Sequence, residues 1–222
     1  MNQPQRVEHI AHRGANRELA ENTIPAFLRA VERGADAIEL DVHATADGIV
    51  VVHHDADLRI PGLGTRAIAE IDWLDLERSA TGIARLADVL DAVPERVTLY
   101  VELKGAGVEA RTAEVIGGSA RCAVHSFDHS AVSRMRAIAR DIPRGVLFDH
   151  YPADVEASMR FAGARDVWPE WRLIDRRLVS TVHAAGGRVI AWTVNSRVDA
   201  ERLVALGVDG LCSDDVRLLD GL

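Results

Sequence analysis

The 222-residue sequence predicts an α/β fold, a (β/α)8 barrel in a single domain spanning residues 1–222. Three observations carry this prediction. Short β-rich runs alternate with amphipathic stretches, the pattern of parallel strand–helix units. The length suits eight such units, which need roughly 200–250 residues. The strands of the first half end in ionisable residues, the place where parallel barrels carry their active groups.

Eight strands are read at Val7–His12, Ala37–His43, Val97–Leu103, Cys122–Phe127, Gly145–Phe148, Asp166–Trp168, Arg188–Val194 and Gly210–Ser213. Pro169 is expected to cut the sixth one short, because proline cannot donate to a ladder. A further strand, Ile49–His53, follows strand two across Asp47-Gly48. Asp-Gly between apolar runs is a hairpin signal, so this extra strand should run antiparallel. Ile24, Phe27, Leu28 and Val31 fall on one helical face. Asn22 or Thr23 caps that helix, Pro25 fits its first turn and Gly34 ends it. Leu86, Val89, Leu90 and Val93 repeat the spacing, and Ser196 and Gly207 bracket a third helix. The segment Ala56–Ala84 lacks periodicity and contains Pro61, Gly62, Gly64 and Gly82. It is expected to be a long loop over the barrel mouth, and loops that long are often functional.

Apolar residues make up 48% and charged residues 27%, which argues for a packed domain and against disorder. The formal net charge of −8 disfavours nucleic acid and anionic membranes as partners. Met1 to Glu8 is polar, and no stretch is long enough to span a bilayer. A cytoplasmic protein without stable membrane insertion is the expectation. Cys122 and Cys212 lie in apolar runs and read as buried thiols of a reducing compartment.

The chemistry concentrates at four consecutive strand ends: His12-Arg13-Gly14, Glu39-Leu40-Asp41, His53-His54-Asp55 and Glu102-Leu103-Lys104. Glu39 and Asp41 are two apart on a strand and share a face. Two bare carboxylates there must share a proton, pair with arginines at an exposed rim, or bind a cation. Glu102 on the neighbouring strand favours the cation. Three carboxylates suit Mg²⁺ or Ca²⁺ better than zinc.

His12 and His54 are placed to carry protons, since imidazole titrates near neutrality. His43 is a fallback ligand, His53 reads as packing or support, and His125 is undecided. His9, His129, His150 and His183 read as local hydrogen-bonding histidines. The chain has 26 basic side chains, of which one, Lys104, is lysine. A compact ammonium at a strand end suits a phosphate oxygen. Arg13 fits the same task or a surface ion pair. Trp192 fits a pocket wall or plain core packing.

These residues carry a resemblance. His12-Arg13-Gly14, Glu21-Asn22-Thr23, Ala26-Phe27, Gly34-Ala35-Asp36, Glu39-Leu40-Asp41, Thr45, Asp47-Gly48 and His54-Asp55 closely resemble the glycerophosphodiester phosphodiesterase family. Glu102-Leu103-Lys104, Ser126-Phe127, Trp192-Thr193-Val194-Asn195 and Gly207-Val208-Asp209-Gly210 resemble its later motifs, in the right order. The resemblance implies a TIM barrel that hydrolyses small-molecule glycerophosphodiesters to sn-glycerol 3-phosphate and an alcohol. It implies Glu39, Asp41 and Glu102 as metal ligands, His12 and His54 as the acid–base pair, and Arg13 and Lys104 as phosphate contacts. Ala20 stands where the family usually has proline, the stretch Leu58 to Thr65 is shorter than usual, and the family's insertion over the barrel mouth is a reduced insertion loop here. Cys212-Ser213 replaces the more usual Ile-Thr. Two rival readings remain: the same site acting on lysophospholipid or sphingomyelin-like head groups, with Trp73, Leu74 and Leu76 as an apolar rim, and a non-catalytic anion-binding barrel.

Overall fold

The computed structural model describes residues 6–60, 64–79 and 82–222. Eight parallel strands close into a barrel: β1 (Glu8–His12), β2 (Ala37–Ala44), β7 (Thr98–Leu103), β8 (Cys122–Ser126), β9 (Arg144–Phe148), β10 (Asp166–Pro169), β11 (Arg188–Ala191) and β12 (Gly210–Ser213). Each pairs in parallel with the next, and β12 returns to β1. The extra strand is β3 (Val50–Val52), antiparallel to the end of β2.

The segment Ala56–Ala84 differs from the expected irregular loop. It holds an antiparallel hairpin, β4 (Asp57–Ile60) with β5 (Gly64–Ala67), and a short helix, α2 (Trp73–Arg78). It returns to the sheet through β6 (Ala84–Arg85), which pairs with β3. The reason is a small core of its own: Ile60, Ile68 and Leu76 are buried against Val51 of β3, with Trp73 packed beside them. Leu74 alone of the three suggested rim residues is largely exposed. Asp47 anchors α2 by accepting a hydrogen bond from the Trp73 N–H. Pro61 and Gly62 lie outside the described residues.

Helices cover the outer face: α1 (Ile24–Glu32), α3 (Leu86–Ala92), α4 (Val108–Ile116), α5 (His129–Ile138), α6 (Val155–Ala162), α7 (Arg176–Ala184) and α8 (Arg197–Leu206). Thr23 caps α1 by accepting from the Ala26 N–H, which frees Asn22 for another role. Ser196 caps α8, and Gly207 ends it in the left-handed region. β10 includes Pro169 as its last residue rather than stopping before it; Pro169 lacks an N–H to donate, and its carbonyl accepts from the Trp192 N–H. The strand expected to reach Val194 ends at Ala191, and Trp192 makes only an isolated bridge to Glu170.

The barrel interior is filled by Ile10, Tyr100, Leu147, Trp168, Ile190 and Cys212. At the N-terminal end, Tyr100 and Arg188 both donate to the Glu8 carboxylate and close that side. The polar cavity therefore opens only where the strands end. Among the described residues, no helix is long and apolar enough to cross a membrane. Cys122 and Cys212 are both buried free thiols.

Candidate active site

Register gathers the site. His12 stands beside Glu39, Asp41 beside Glu102, and Glu102 beside His125. Side chains in register on parallel strands project to the same side, so these groups converge at the C-terminal mouth. Of these, His12, Glu39, Glu102 and His125 border a cavity of about 200 Å³, together with Arg13, His54 and Lys104 and an aromatic far wall that includes Phe127, Trp168 and Trp192. A larger groove of about 600 Å³ lies on the 60–79 segment, but its Arg66, Glu70, Asp72 and Asp75 are exposed and none borders this cavity.

The turn after β1 aims Arg13. Arg13 itself has φ 55° and Gly14 has φ 82°. A Cβ on Gly14 would lie 2.8 Å from the Ala26 carbonyl carbon, so only glycine lets α1 pack this close. Thus bent, Arg13 reaches back: its Nε lies 3.1 Å from Asp41 Oδ2 and its Nη1 donates to Glu21 Oε1 at 2.9 Å. Its backbone N–H donates to Glu39 Oε2.

The carboxylates differ in state. Asp41 is fully buried, accepts from Asn22 Nδ2 at 2.8 Å, and lies 3.5 Å from Lys104 Nζ. Burial pushes its pKa up, but Arg13 and Lys104 outweigh this and hold it below the usual carboxylate range. Asp41 Oδ1 is buried without a hydrogen bond, and Asp41 stands behind the cavity wall rather than on it. Glu102 is pushed up to about 7, first by burial and then by the Glu39 charge. Lys104 Nζ, 3.4 Å from Glu102 Oε1, offsets only part of that. Glu39, Glu102 and His125 offer donor atoms that all lie within 4.8 Å of one another. Buried carboxylates facing one another, one of them held partly protonated, are an electrostatic arrangement that a divalent cation relieves. The donor set fits such an ion.

Both proposed proton carriers have carboxylate partners. His12 Nδ1 is 2.7 Å from Asp214 Oδ1, and His54 Nδ1 is 2.7 Å from Asp55 Oδ1. Burial lowers the His12 pKa, but the Asp214 hydrogen bond and the Glu39 charge outweigh it and the net shift is upward. Asp214 is itself fixed by Asn16 and Asn195, each donating at 2.7 Å, and its pKa is driven well down. His43, the fallback ligand, instead packs beneath His54, with its Nε2 3.2 Å from the His54 carbonyl oxygen. Trp192 borders the cavity, donates its indole N–H to the Trp168 carbonyl and meets Phe127 edge-on at 5.4 Å.

Asp214, Asn22, Asn16 and Phe127 were not singled out from the sequence as site residues. Asp214 is 202 positions from its histidine, so no local pattern exposes the pair. Of Asn22 and Thr23, Thr23 is the cap, and Asn22, at φ 57°, donates to Asp41 instead. Of the four histidines expected to hydrogen-bond locally, His150 pairs with its neighbour Asp149, whereas His129 meets the Leu147 carbonyl and His183 meets Asp209, 18 and 26 positions away; His9 Nε2 is buried without a hydrogen-bond partner among the described residues.

With this geometry in place, the chain can be set beside known proteins. It matches the Glycerophosphoryl diester phosphodiesterase family over residues 12–104 and 94–218. It is 31% identical to the Bacillus subtilis protein YhdW, covering 96% of this chain and 97% of that one. It is 29% identical to the glycerophosphodiester phosphodiesterase of Caldanaerobacter subterraneus subsp. tengcongensis, covering 96% of each. The crystal structure of the glycerophosphodiester phosphodiesterase from Thermotoga maritima superposes with a TM-score of 0.85 at 25% identity, over 96% of this chain and 97% of that one. A phosphodiesterase of Oleispira antarctica, solved in complex with its product sn-glycerol-3-phosphate, gives a TM-score of 0.85 at 24% identity, over 96% and 95% of the two chains. A strand-end constellation of two imidazoles, facing carboxylates and two cations, on a closed (β/α)8 barrel that these relatives share from end to end, places the chain in the glycerophosphoryl diester phosphodiesterase family.

Proposed function

We propose that this enzyme hydrolyses glycerophosphodiesters to sn-glycerol 3-phosphate and an alcohol at the cavity between β1, β2 and β7, with a divalent cation held by Glu39, Asp41 and Glu102. One observation carries the reading most: His12 and His54, each paired with a carboxylate, border the same small cavity as Arg13, Lys104, Glu39 and Glu102. When bound, the cation supplies Lewis acidity and neutralises the anionic diester. Its carboxylate ligands suit Mg²⁺ or Ca²⁺.

The side chains do the rest. Arg13 and Lys104 donate to phosphoryl oxygens as charge builds on them. One imidazole takes the proton from the attacking hydroxyl, and the other gives one to the leaving oxygen. Asp214 and Asp55 each hold Nδ1 of their histidine, which reserves Nε2 for proton transfer. Trp192 and Phe127 offer an apolar wall to the carbon side of the glycerol. The cation, together with Arg13 and Lys104, would supply the local positive charge that a chain of net charge −8 needs to accept an anionic substrate. The product seen with the Oleispira antarctica phosphodiesterase is the one proposed here.

The test is release of glycerol 3-phosphate from a panel of glycerophosphodiesters and a lysophospholipid. Turnover of glycerophosphodiesters, silenced by EDTA and restored by Mg²⁺ or Ca²⁺, is the expected result. Full activity in EDTA removes the cation from the mechanism, and turnover confined to the lysophospholipid transfers the site to a lipid substrate.

A further inference from the structure

We infer that His125 is a nitrogen ligand of the cation at this site, and that it shifts the site's preference from Mg²⁺ and Ca²⁺ toward borderline cations such as Mn²⁺ and Zn²⁺. The inference rests on the cation reading above and deepens it.

His125 sits on β8 in register with Glu102, and it is 1% exposed. Its Nδ1 has no hydrogen-bond partner among the described residues. Its Nε2 stands 3.6 Å from Glu39 Oε1, longer than a hydrogen bond. Nδ1 is thus a buried polar atom left without a partner, and a cation between Nε2 and Glu39 Oε1 would bridge the gap that no hydrogen bond spans. The ring is also held in place. Trp168 lies 4.4 Å away between centroids, and Tyr100 stacks at 6.4 Å. Gly145 on the next strand leaves the room: a Cβ there would fall 3.1 Å from the His125 Cβ and 2.8 Å from Trp168 Nε1.

Among the described residues, Glu39, Glu102 and His125 bring three donor atoms within 4.8 Å of one another, a group that does not include Asp41. Asp41 is more committed, with Oδ2 engaged by Asn22 and near Arg13. The site is thereby a mixed nitrogen and oxygen set. Imidazole suits zinc and other transition ions, whereas Mg²⁺ and Ca²⁺ prefer oxygen alone. Most sites bind Zn²⁺ more tightly than Mn²⁺, so the order of affinities says little. The informative quantity is how the preference over Mg²⁺ changes when the nitrogen is removed.

The full chain, stripped with chelator, is titrated calorimetrically with Mn²⁺, Zn²⁺, Mg²⁺ and Ca²⁺, as wild type and as His125→Gln. Glutamine keeps the size and offers an oxygen. The expected result is a loss of at least roughly tenfold in the Mn²⁺-over-Mg²⁺ preference, with Mg²⁺ affinity little changed. Pulsed EPR of Mn²⁺ bound to the wild type should show a directly bound nitrogen, lost in His125→Gln. This second measurement stands on the wild type alone should the variant fold poorly. An unchanged preference, or no nitrogen coupling in the wild type, overturns the inference while leaving the carboxylate cation site standing. Failure of the wild type to bind any of the four ions overturns both.

Discussion

Asp214 sets the state of His12. The imidazole is buried, which alone would lower its pKa, yet the carboxylate at 2.7 Å and the nearby Glu39 charge raise it on balance. His12→Ala is therefore expected to cut kcat by about 10²–10⁴-fold with an unchanged melting temperature. Asp214→Asn keeps the shape but removes the charge, so the His12 pKa should fall. The limb of the kcat/KM profile that reports His12 should then move to lower pH, whether that residue acts as acid or base. A profile that does not move would show that Asp214 has no hold on the reaction. On the proposed reading Asp214 is a positioning residue, and no local pattern in the sequence exposes its contact with His12. His12 announces itself as the end of an apolar run, whereas its partner enters from β12's far end, after seven further strands of the barrel. Lys104 was conspicuous for another reason: it is the single lysine among 26 basic side chains, and it lies against Asp41 and Glu102.

The β1–α1 connection shows how an element places a side chain. Gly14 at φ 82° closes the turn, and any β-carbon there meets the α1 backbone. Gly14→Ala should destabilise by about 2–4 kcal/mol, from the positive φ and the overlap together. Urea unfolding measures this, and a loss under 1 kcal/mol would mean that α1 shifts freely to make room. Because Arg13 rides on the same turn, the variant should also raise KM more than it lowers kcat. Helices α1 and α8 were readable from their caps and spacing, since both signals are local. The 56–84 segment was not. Its order comes from Ile60, Ile68 and Leu76 meeting Val51, contacts between residues too scattered to give a period. None of its described residues borders the catalytic cavity, so its hairpin and short helix wall the flank of β3.

Across the whole molecule, the barrel forces acids into proximity, and stability records it. Glu102 rises from 4.5 to about 7 in the folded chain because it is buried beside Glu39. A folded-state pKa above the unfolded one contributes stability that is fully present below about 4.5 and lost as pH rises through about 7. In chelated protein this amounts to at most about 3 kcal/mol. Glu102→Gln does not titrate, so chelated variant should be more stable than wild type at pH 8, with the difference vanishing below pH 4.5. Adding a binding cation should reverse the order, because only the intact site gains from it. Thermal melts at both pH values, with and without metal, check this; equal melts at pH 8 in chelator would mean that Glu102 is not crowded.

The sequence by itself determined the (β/α)8 barrel, the antiparallel strand after β2 and the strand ends on which the chemistry sits. Those features follow from periods of two and 3.6 residues and from turn residues, all of which are local. Only the tertiary structure decided which charges meet: that Asp41 is held by Arg13 and Asn22, that Asp214 holds His12, and that His125 faces Glu39. Closure of the barrel brings together strands far apart in the chain, and side-chain burial and charge balance are set by those non-local neighbours rather than by sequence spacing.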